Sequence, residues 1–201
     1  IGDGAMSVGE GTFSGCTSLA EITIPDSVTS ITSSAFYGCT SLKEIIIPDS
    51  VTRISWSAFS GCTSLSKVKL SNNLTEIAWD TFSGCTSLKE IVIPDSVTEI
   101  YDSAFSGCTS LSKVKLSNNL TEIGSKAFSG CTSLKEIIIP DSVTKIGAGI
   151  YDGSRGYVFS NCTSLESITI GSGVESLGNG WIDSCRRLAN ITVSPENKTY
   201  S

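Results

Sequence analysis

The sequence predicts an α/β fold: a single solenoid of leucine-rich repeats, with one strand per 23-residue repeat in a parallel concave sheet and short helical turns on the convex side. The cysteines set the period. Consecutive cysteines from Cys16 to Cys131 lie 23 residues apart, Cys162 follows after 31 residues, and Cys185 follows after another 23. Leucine and isoleucine recur at fixed offsets in each repeat. A sustained period of about 20–29 residues with that pattern is typical of leucine-rich solenoids.

The first half of each repeat predicts a strand, as the repeat that begins at Cys85 illustrates. Its alternating pattern predicts that Leu88, Ile91 and Ile93 point into the core. Pro94 follows at once and ends the strand, because proline has no amide hydrogen to donate to a neighbouring strand.

The second half of the repeat is expected to form the convex side of the solenoid. Residues 103–105, Ser-Ala-Phe, are interpreted as a short helical turn with Asp102 or Ser103 as its cap and Gly107 at its exit. The phenylalanines at this offset, Phe82, Phe105 and Phe128 among them, are expected to stack as an aromatic spine.

The eight cysteines recur once per repeat at one offset. Neighbouring parallel strands are ~4.8 Å apart with parallel Cβ directions, whereas a disulfide needs Cβ atoms ~3.8 Å apart that point toward each other. We therefore expect a column of buried free thiols rather than bridges. The chain has no histidine, and no cysteine pair has the short spacing of a zinc site.

One domain is expected over residues 1–201, with insertions near residues 2–12 and 147–158. Because the sequence begins and ends inside a repeat, it is expected to be a fragment of a longer protein. The net charge of −6 and pI near 4.7 argue against a nucleic-acid or anionic-membrane partner. No apolar run is long enough to span a bilayer. Without histidine, Ser-His-Asp and Cys-His catalysis are excluded, so we expect no enzyme, no cofactor and no metal.

Three recurring motifs resemble the BspA-like leucine-rich repeat family over practically the whole chain: Gly-Cys-Thr-Ser-Leu, Ile-Pro-Asp-Ser-Val and Ala-Phe-Ser-Gly-Cys. The resemblance implies a right-handed solenoid on secreted or surface-anchored proteins, often with a role in adhesion, and no catalytic motif. Asn73 and Asn119 match the asparagine-ladder position of that family. The implied location is extracellular or on the cell surface.

The concave sheet is the first candidate binding surface. One outward column alternates charge, and the column beside it alternates apolar and basic residues; the two columns are Glu44, Lys67, Glu90, Lys113 and Glu136, and Ile46, Lys69, Val92, Lys115 and Ile138. One interpretation is solubility of an open sheet, since exposed ion pairs contribute only ~0–1 kcal/mol each. The other is a platform for a protein partner.

Two further candidates are aromatic. Trp56 and Trp79 share one offset in adjacent repeats, where they either shield the solenoid surface or form a shelf for a sugar ring or a partner. The second insertion carries Tyr151, Arg155 and Tyr157 among glycine and serine, a composition typical of recognition loops, although a neutral tolerated loop is equally compatible.

The function that the sequence favours is an extracellular adhesion module that binds a host or microbial surface protein through the concave sheet and the inserted loop. The alternatives are a structural spacer that projects another domain, which the near-identical repeats favour, and a carbohydrate-binding module built on Trp56 and Trp79. A glycan is thus a second partner class. Apolar core at the open ends would also allow end-to-end self-association.

Overall fold

The computed structural model describes residues 1–147 and 156–200. They form a parallel β-solenoid of about eight turns, in which paired residues on neighbouring turns are 23 positions apart along most of the array. Most turns place one strand of three or four residues on one face and one strand of two residues on another. We call these the long-strand face and the short-strand face.

The long-strand face contains β3 (Glu44–Ile46), β5 (Lys67–Lys69), β7 (Glu90–Val92), β9 (Lys113–Lys115), β11 (Glu136–Ile139), β13 (Ser167–Ile170) and β15 (Asn190–Val193). The short-strand face contains β1 (Ser7–Val8), β2 (Ser30–Ile31), β4 (Arg53–Ile54), β6 (Glu76–Ile77), β8 (Glu99–Ile100), β10 (Glu122–Ile123), β12 (Lys145–Ile146) and β14 (Ser176–Leu177).

All ladder pairs are parallel, but neither face is a single continuous sheet. On the long-strand face β3 pairs with β5, β7 with β9, and β11 with β13 and then β15. On the short-strand face β1, β2 and β4 form one sheet, and β6 to β14 form a second. On the long-strand face the ladder is interrupted after each Lys-Val-Lys strand. The interruptions thus follow the two-repeat alternation of the sequence, in which Lys-Val-Lys strands alternate with Glu-Ile-Ile or Glu-Ile-Val strands.

The predicted helical turns are wrong: the described residues contain strands and turns but no helix, so the fold is all-β rather than α/β. The segment around Ser103 shows why. The backbone N–H groups of Ser103, Phe105 and Gly107 donate to carbonyl oxygens of the next repeat, at 2.9, 2.8 and 2.7 Å, instead of to carbonyls within their own turn. Ser103 also has a φ of 58°, a left-handed conformation that interrupts a right-handed helix.

The core is one cluster of buried apolar side chains that runs from Val8 to Val174. The predicted aromatic spine is present. The rings of Phe13, Phe36, Phe59, Phe82, Phe105, Phe128 and Phe159 stack in succession, with centroids 5.2–5.6 Å apart and planes within 11° of parallel. All eight cysteines are free thiols, and those from Cys39 to Cys162 are buried.

The strand register aligns the first repeat and the repeat that contains the second insertion. Val8 lies opposite Ile31, so Val8 and not Ile1 holds the isoleucine position of the first repeat, and the distance to Cys16 is that of a regular repeat. In the later repeat, Ile146 pairs with Ile123, and the N–H of Phe128 donates to the carbonyl of Val158 at 3.0 Å.

The extra eight residues of that later repeat therefore fall between Gly147 and Gly156. The two glycines lie against each other: a Cβ built on Gly147 would be 2.8 Å from the Gly156 Cα. The chain thus leaves the turn and returns to it at one place.

Candidate functional site

The long-strand face exposes a column of large apolar side chains. Ile46, Val92 and Ile138 point outward because they alternate with buried core residues on their strands, and they are 53%, 57% and 66% exposed. Such side chains normally lie inside a fold, so an ordered exposed column of them on a sheet is an informative feature.

Lysines stand between these apolar residues. The register places Lys69 opposite Ile46 and Lys115 opposite Val92. Apolar and basic side chains therefore alternate across this face, in the order that the sequence predicts. Lys69 and Lys115 are exposed.

The neighbouring column carries the predicted alternation of charge. Glu44 lies opposite Lys67, and their side chains form an ion pair at 2.6 Å; Glu90 lies opposite Lys113. The Glu44–Lys67 pair is the one ion pair within 4.0 Å on this face among the described residues. Both side chains remain substantially exposed, so water screens the attraction and the pair contributes little to stability.

Two depressions lie on the long-strand face. The first, about 300 Å³, is lined by the outward residues of β7 and β9 and by Val114, which is only half-buried, whereas Ile91 and Ile137 on the neighbouring strands are buried. The second, about 730 Å³, lies between residues 20–24 and β3, where Ile22, Ile24 and Ile46 face Lys43 and Lys69. Both combine apolar walls with lysines and carboxylates: Glu21, Asp26, Glu44 and Asp49 also line the larger depression, and Glu90 and Glu136 line the smaller one.

The two tryptophans differ from each other. The Trp56 side chain is 59% exposed, whereas Trp79 packs against Tyr101 with ring centroids 4.4 Å apart and a tilt of 42°. A hydrogen bond to the Glu99 carboxylate raises the pKa of Tyr101, with burial and the charges of neighbouring glutamates adding to the effect. Trp79 and Tyr101 thus form a tilted aromatic pair, and Trp56 is the more exposed of the two tryptophans.

The short-strand face carries a charge cluster that the sequence reasoning did not single out. The strand register places Glu76, Glu99 and Glu122 side by side on consecutive strands. Lys145 follows on β12, and its Nζ lies 3.9 Å from the Glu122 carboxylate. Burial raises the pKa of Glu122, and Lys145 partly offsets that rise. The recurring Glu-Ile pair at the 23-residue period was the signal that could have located this cluster.

Only the end of the inserted loop, from Gly156 on, belongs to the described residues. Tyr151 and Arg155 lie outside the described residues. Tyr157 is described, and it occupies the offset that Ser103 holds in its own repeat, with a φ of 40°. Its ring lies over Gly180 of the next turn, where an added Cβ would be 2.8 Å from Tyr157 Cε1. Tyr157 is therefore a packed residue of the repeat array.

The predicted ladder asparagines donate hydrogen bonds between repeats. Asn73 Nδ2 donates to the Asp49 carbonyl at 2.7 Å, and Asn119 Nδ2 donates to the Asp95 carbonyl at 2.8 Å. No group of three or more Cys, Asp or Glu side chains within residues 1–147 and 156–200 is arranged to hold a metal ion. In the same residues, no helix has the length and apolarity of a membrane span.

Comparison with known proteins agrees with the repeat pattern. The sequence matches the BspA type leucine rich repeat region in six copies, over residues 1–110, 30–156 and 154–201. A search of curated protein sequences gives no match.

Among solved structures, the chain is similar to a leucine-rich repeat protein from Bacteroides ovatus, with 31% identity, a TM-score of 0.78, and coverage of 96% of this chain and 54% of that one. A leucine-rich cell surface protein from Faecalibacterium prausnitzii is 33% identical, with a TM-score of 0.63 and coverage of 96% and 59%. A leucine-rich repeat protein of T. pallidum is 36% identical, with a TM-score of 0.72 and coverage of 85% and 76%. The chain thus spans little more than half the length of the first two proteins.

Proposed function

Because the chain belongs to the family of BspA-type leucine-rich repeats, we propose that it is a protein-interaction module of an extracellular or cell-surface protein, with an adhesive role. Its binding surface is the long-strand face. Leucine-rich repeat proteins are typically non-enzymatic scaffolds for interaction, so the proposal is one of binding rather than catalysis.

The exposed column of Ile46, Val92 and Ile138 carries this proposal. Removal of apolar surface from water is favourable by roughly 25 cal/mol per Å², and this gain must exceed the entropic cost of association. The lysines between these residues would fix the orientation of a partner through charge, which contributes specificity and association rate more than affinity. The surface location is supported by one similar structure, that of a cell surface protein.

The inserted loop is a second proposed contact. Tyr151 and Arg155 supply an aromatic ring and a planar cation, the residue types that dominate binding energy at interfaces. Tyr157 is left out of the proposed contact because its ring packs on Gly180 and its removal would disturb the repeat array.

A binding screen tests the proposal. The 201-residue chain is immobilised and exposed to a panel of extracellular-matrix proteins and to a glycan panel, beside a variant with Ile46→Ala, Val92→Ala and Ile138→Ala. We expect binding to at least one matrix protein, and a loss of at least tenfold in affinity for the variant. A second variant, with Tyr151→Ala and Arg155→Ala, measures the contribution of the loop.

The matched control carries Met6→Ala and Tyr37→Ala, two exposed apolar residues that lie outside the long strands, at 64% and 50% exposure. It should bind as the original chain does. Binding only on the glycan panel, lost on Trp56→Ala, would replace the proposal with the carbohydrate-binding alternative. Silence on both panels by folded protein would favour the spacer.

A further inference from the structure

We infer that the partner segment that docks on the long-strand face is acidic: an extended peptide with a carboxylate at about every third position and apolar residues between. This inference rests on the proposed function and names the chemistry of the partner. It follows from the placement of charge on the solenoid and from the spacing of the strands.

Positive charge is concentrated on this face although the protein is acidic overall. The chain has 14 basic residues and a net charge of −6. Seven of those basic residues lie on the long strands or immediately before them, where four glutamates accompany them: Lys43, Lys67, Lys69, Lys89, Lys113, Lys115 and Lys135, with Glu44, Glu90, Glu136 and Glu166. An acidic segment is therefore attracted to this face in particular.

The short-strand face carries a run of three glutamates, flanked by Arg53 on β4 and by Lys145 on β12. Glu76, Glu99 and Glu122 lie side by side there, on consecutive strands of one sheet. An acidic segment that approaches this side is repelled, and one that approaches the long-strand face is attracted. The charge distribution of the molecule thus selects the face on which an acidic partner docks.

The strand spacing sets the spacing of carboxylates in the partner. Lys69 and Lys115 lie on strands separated by one intervening strand, so their backbones are roughly 9.6 Å apart. A polyproline II segment rises about 3.1 Å per residue with three residues per turn, so side chains three positions apart share a face at roughly 9.3 Å. Acidic residues at that interval match the two lysines.

The apolar residues favour a peptide over an anionic polysaccharide. Val92 lies opposite Lys115 and is 57% exposed, and Ile138 beyond it is 66% exposed. The depression of about 300 Å³ beside Val92 also has Val114 in its wall. A sulfated sugar chain offers charge but no aliphatic side chain to cover these residues, whereas a peptide with leucine between its glutamates covers both kinds of position.

The test uses synthetic peptides as probes. The first is six repeats of Glu-Leu-Pro, the second is six repeats of Lys-Leu-Pro, and the third has the composition of the first with its glutamates in one block. Dextran sulfate is the polysaccharide probe. We expect the first peptide to bind, the second not to bind, and the third and the dextran sulfate to bind at least tenfold more weakly than the first.

The variant with Lys69→Gln and Lys115→Gln should bind the first peptide roughly tenfold more weakly. Its matched control carries Lys126→Gln and Lys198→Gln, which remove the same charge from exposed positions outside the long strands, and should change affinity less than about twofold. Raising the salt concentration from about 0.1 M to 1 M shortens the screening length from ~10 Å to ~3 Å and should weaken binding further.

Three results would overturn the inference: equal binding of the glutamate and lysine peptides, no effect of the Lys69→Gln and Lys115→Gln variant, or tighter binding of dextran sulfate than of the first peptide. Binding of the matrix-protein partner found in the screen to the two variants distinguishes this inference from the proposed function. If that partner no longer binds the Ile46, Val92 and Ile138 variant but still binds the lysine variant, the long-strand face remains the binding surface. The acidic nature of the partner is then rejected. If neither variant affects it, both are rejected.

Discussion

The Cys108 thiol donates a hydrogen bond to the carbonyl oxygen of Phe82, 26 positions earlier in the chain, with an Sγ···O distance of 3.2 Å. The same bond recurs from repeat to repeat, at 3.1–3.3 Å, from Cys39 to Cys185. Each thiol therefore satisfies a core carbonyl of the preceding turn. Burial raises the pKa of Cys108 to about 12, so the sulfur stays protonated at neutral pH.

Thiol reactivity should report this arrangement. In the folded protein at pH 8 we expect rapid reaction with Ellman's reagent at one thiol, the exposed Cys16, slower reaction at the half-buried Cys185, and protection of the other six. All eight should react after denaturation in guanidinium. Cys16→Ser is the control and should abolish the fast phase. Six or more fast thiols in the folded protein would contradict the buried column.

The stacked phenylalanines are expected to be a principal source of stability. Phe82 is fully buried, with its ring centroid 5.4 Å from that of Phe59 and 5.5 Å from that of Phe105. Phe82→Ala should lower the free energy of unfolding by about 3–5 kcal/mol, because the substitution leaves a cavity between two rings. Chemical denaturation measures this change.

Tyr37→Ala is the control for the stacking prediction, because Tyr37 is a 50% exposed aromatic residue. It should change the free energy of unfolding by no more than about 0.5 kcal/mol. Equal losses for the two variants would mean that the stack is not a principal source of stability.

Most of the core could be predicted from the sequence because its signals are periodic. Leu88, Ile91 and the spine residue Phe82 occupy fixed offsets, and all three are buried. A residue that recurs at one offset in a stack must meet its own copies, so the stacked rings and the free thiols follow from the spacing alone.

The convex turn could not be predicted by the same reasoning. Local residue preferences at Ser103 and Phe105 favour a helical turn. The backbone N–H groups of these residues instead bond to the next repeat, and that competition is invisible within one repeat. The glutamates of the short-strand face were missed for a related reason: their proximity depends on which strands become neighbours, so Glu99 in isolation looks like an ordinary solvated residue.

Asp80 should be a site where removal of charge stabilises the protein. Burial raises the pKa of its carboxyl, and the charge of Asp102 adds to the rise. A carboxyl with a raised pKa in the folded state contributes stability below its unfolded pKa and loses that contribution as the pH rises through the folded value. At pH 7 the charged Asp80 therefore opposes folding.

Asp80→Asn should accordingly raise the free energy of unfolding at pH 7 by a few tenths to about 1 kcal/mol, since solvent screens a partly exposed group. Asparagine also tolerates the φ of 53° at this position. The gain should disappear by about pH 3, where the aspartate is itself protonated. Asp26→Asn, at an exposed position, is the charge-matched control. A loss of stability at pH 7 would reject the argument.

Asp49 and Asp95 should behave in the opposite way. The backbone N–H of Asn72 donates to the Asp49 carboxylate at 2.9 Å, and its side-chain amide donates as well; these bonds lower the pKa of Asp49. Asn118 does the same for Asp95. A lowered pKa contributes stability above the ordinary carboxyl pKa and loses it as the pH falls through the lowered value.

The variant with Asp49→Asn and Asp95→Asn should therefore be less stable than the original chain at pH 7, and the two should converge as the pH falls below about 4. Denaturation curves from pH 7 to pH 2 measure the convergence. Asp3→Asn, at an exposed position before the first strand, is the control and should track the original chain. A constant difference across the whole range would show that the carboxylate charge is not what stabilises these turns.

The base of the inserted loop is expected to tolerate no side chain at Gly156. A Cβ on Gly156 would lie 3.0 Å from the Gly178 Cα and 3.1 Å from the Gly147 carbonyl oxygen, and both atoms belong to the backbone. Gly156→Ala should therefore force the turns apart and lower the free energy of unfolding by about 1–3 kcal/mol. Gly4→Ala is the control, because an added Cβ there meets no atom within 4 Å. Because the strain falls on the backbone that supports the loop, Gly156→Ala should also weaken any binding that depends on Tyr151 and Arg155. A variant as stable as the original chain would contradict the prediction, because it would show that the turns separate there without cost.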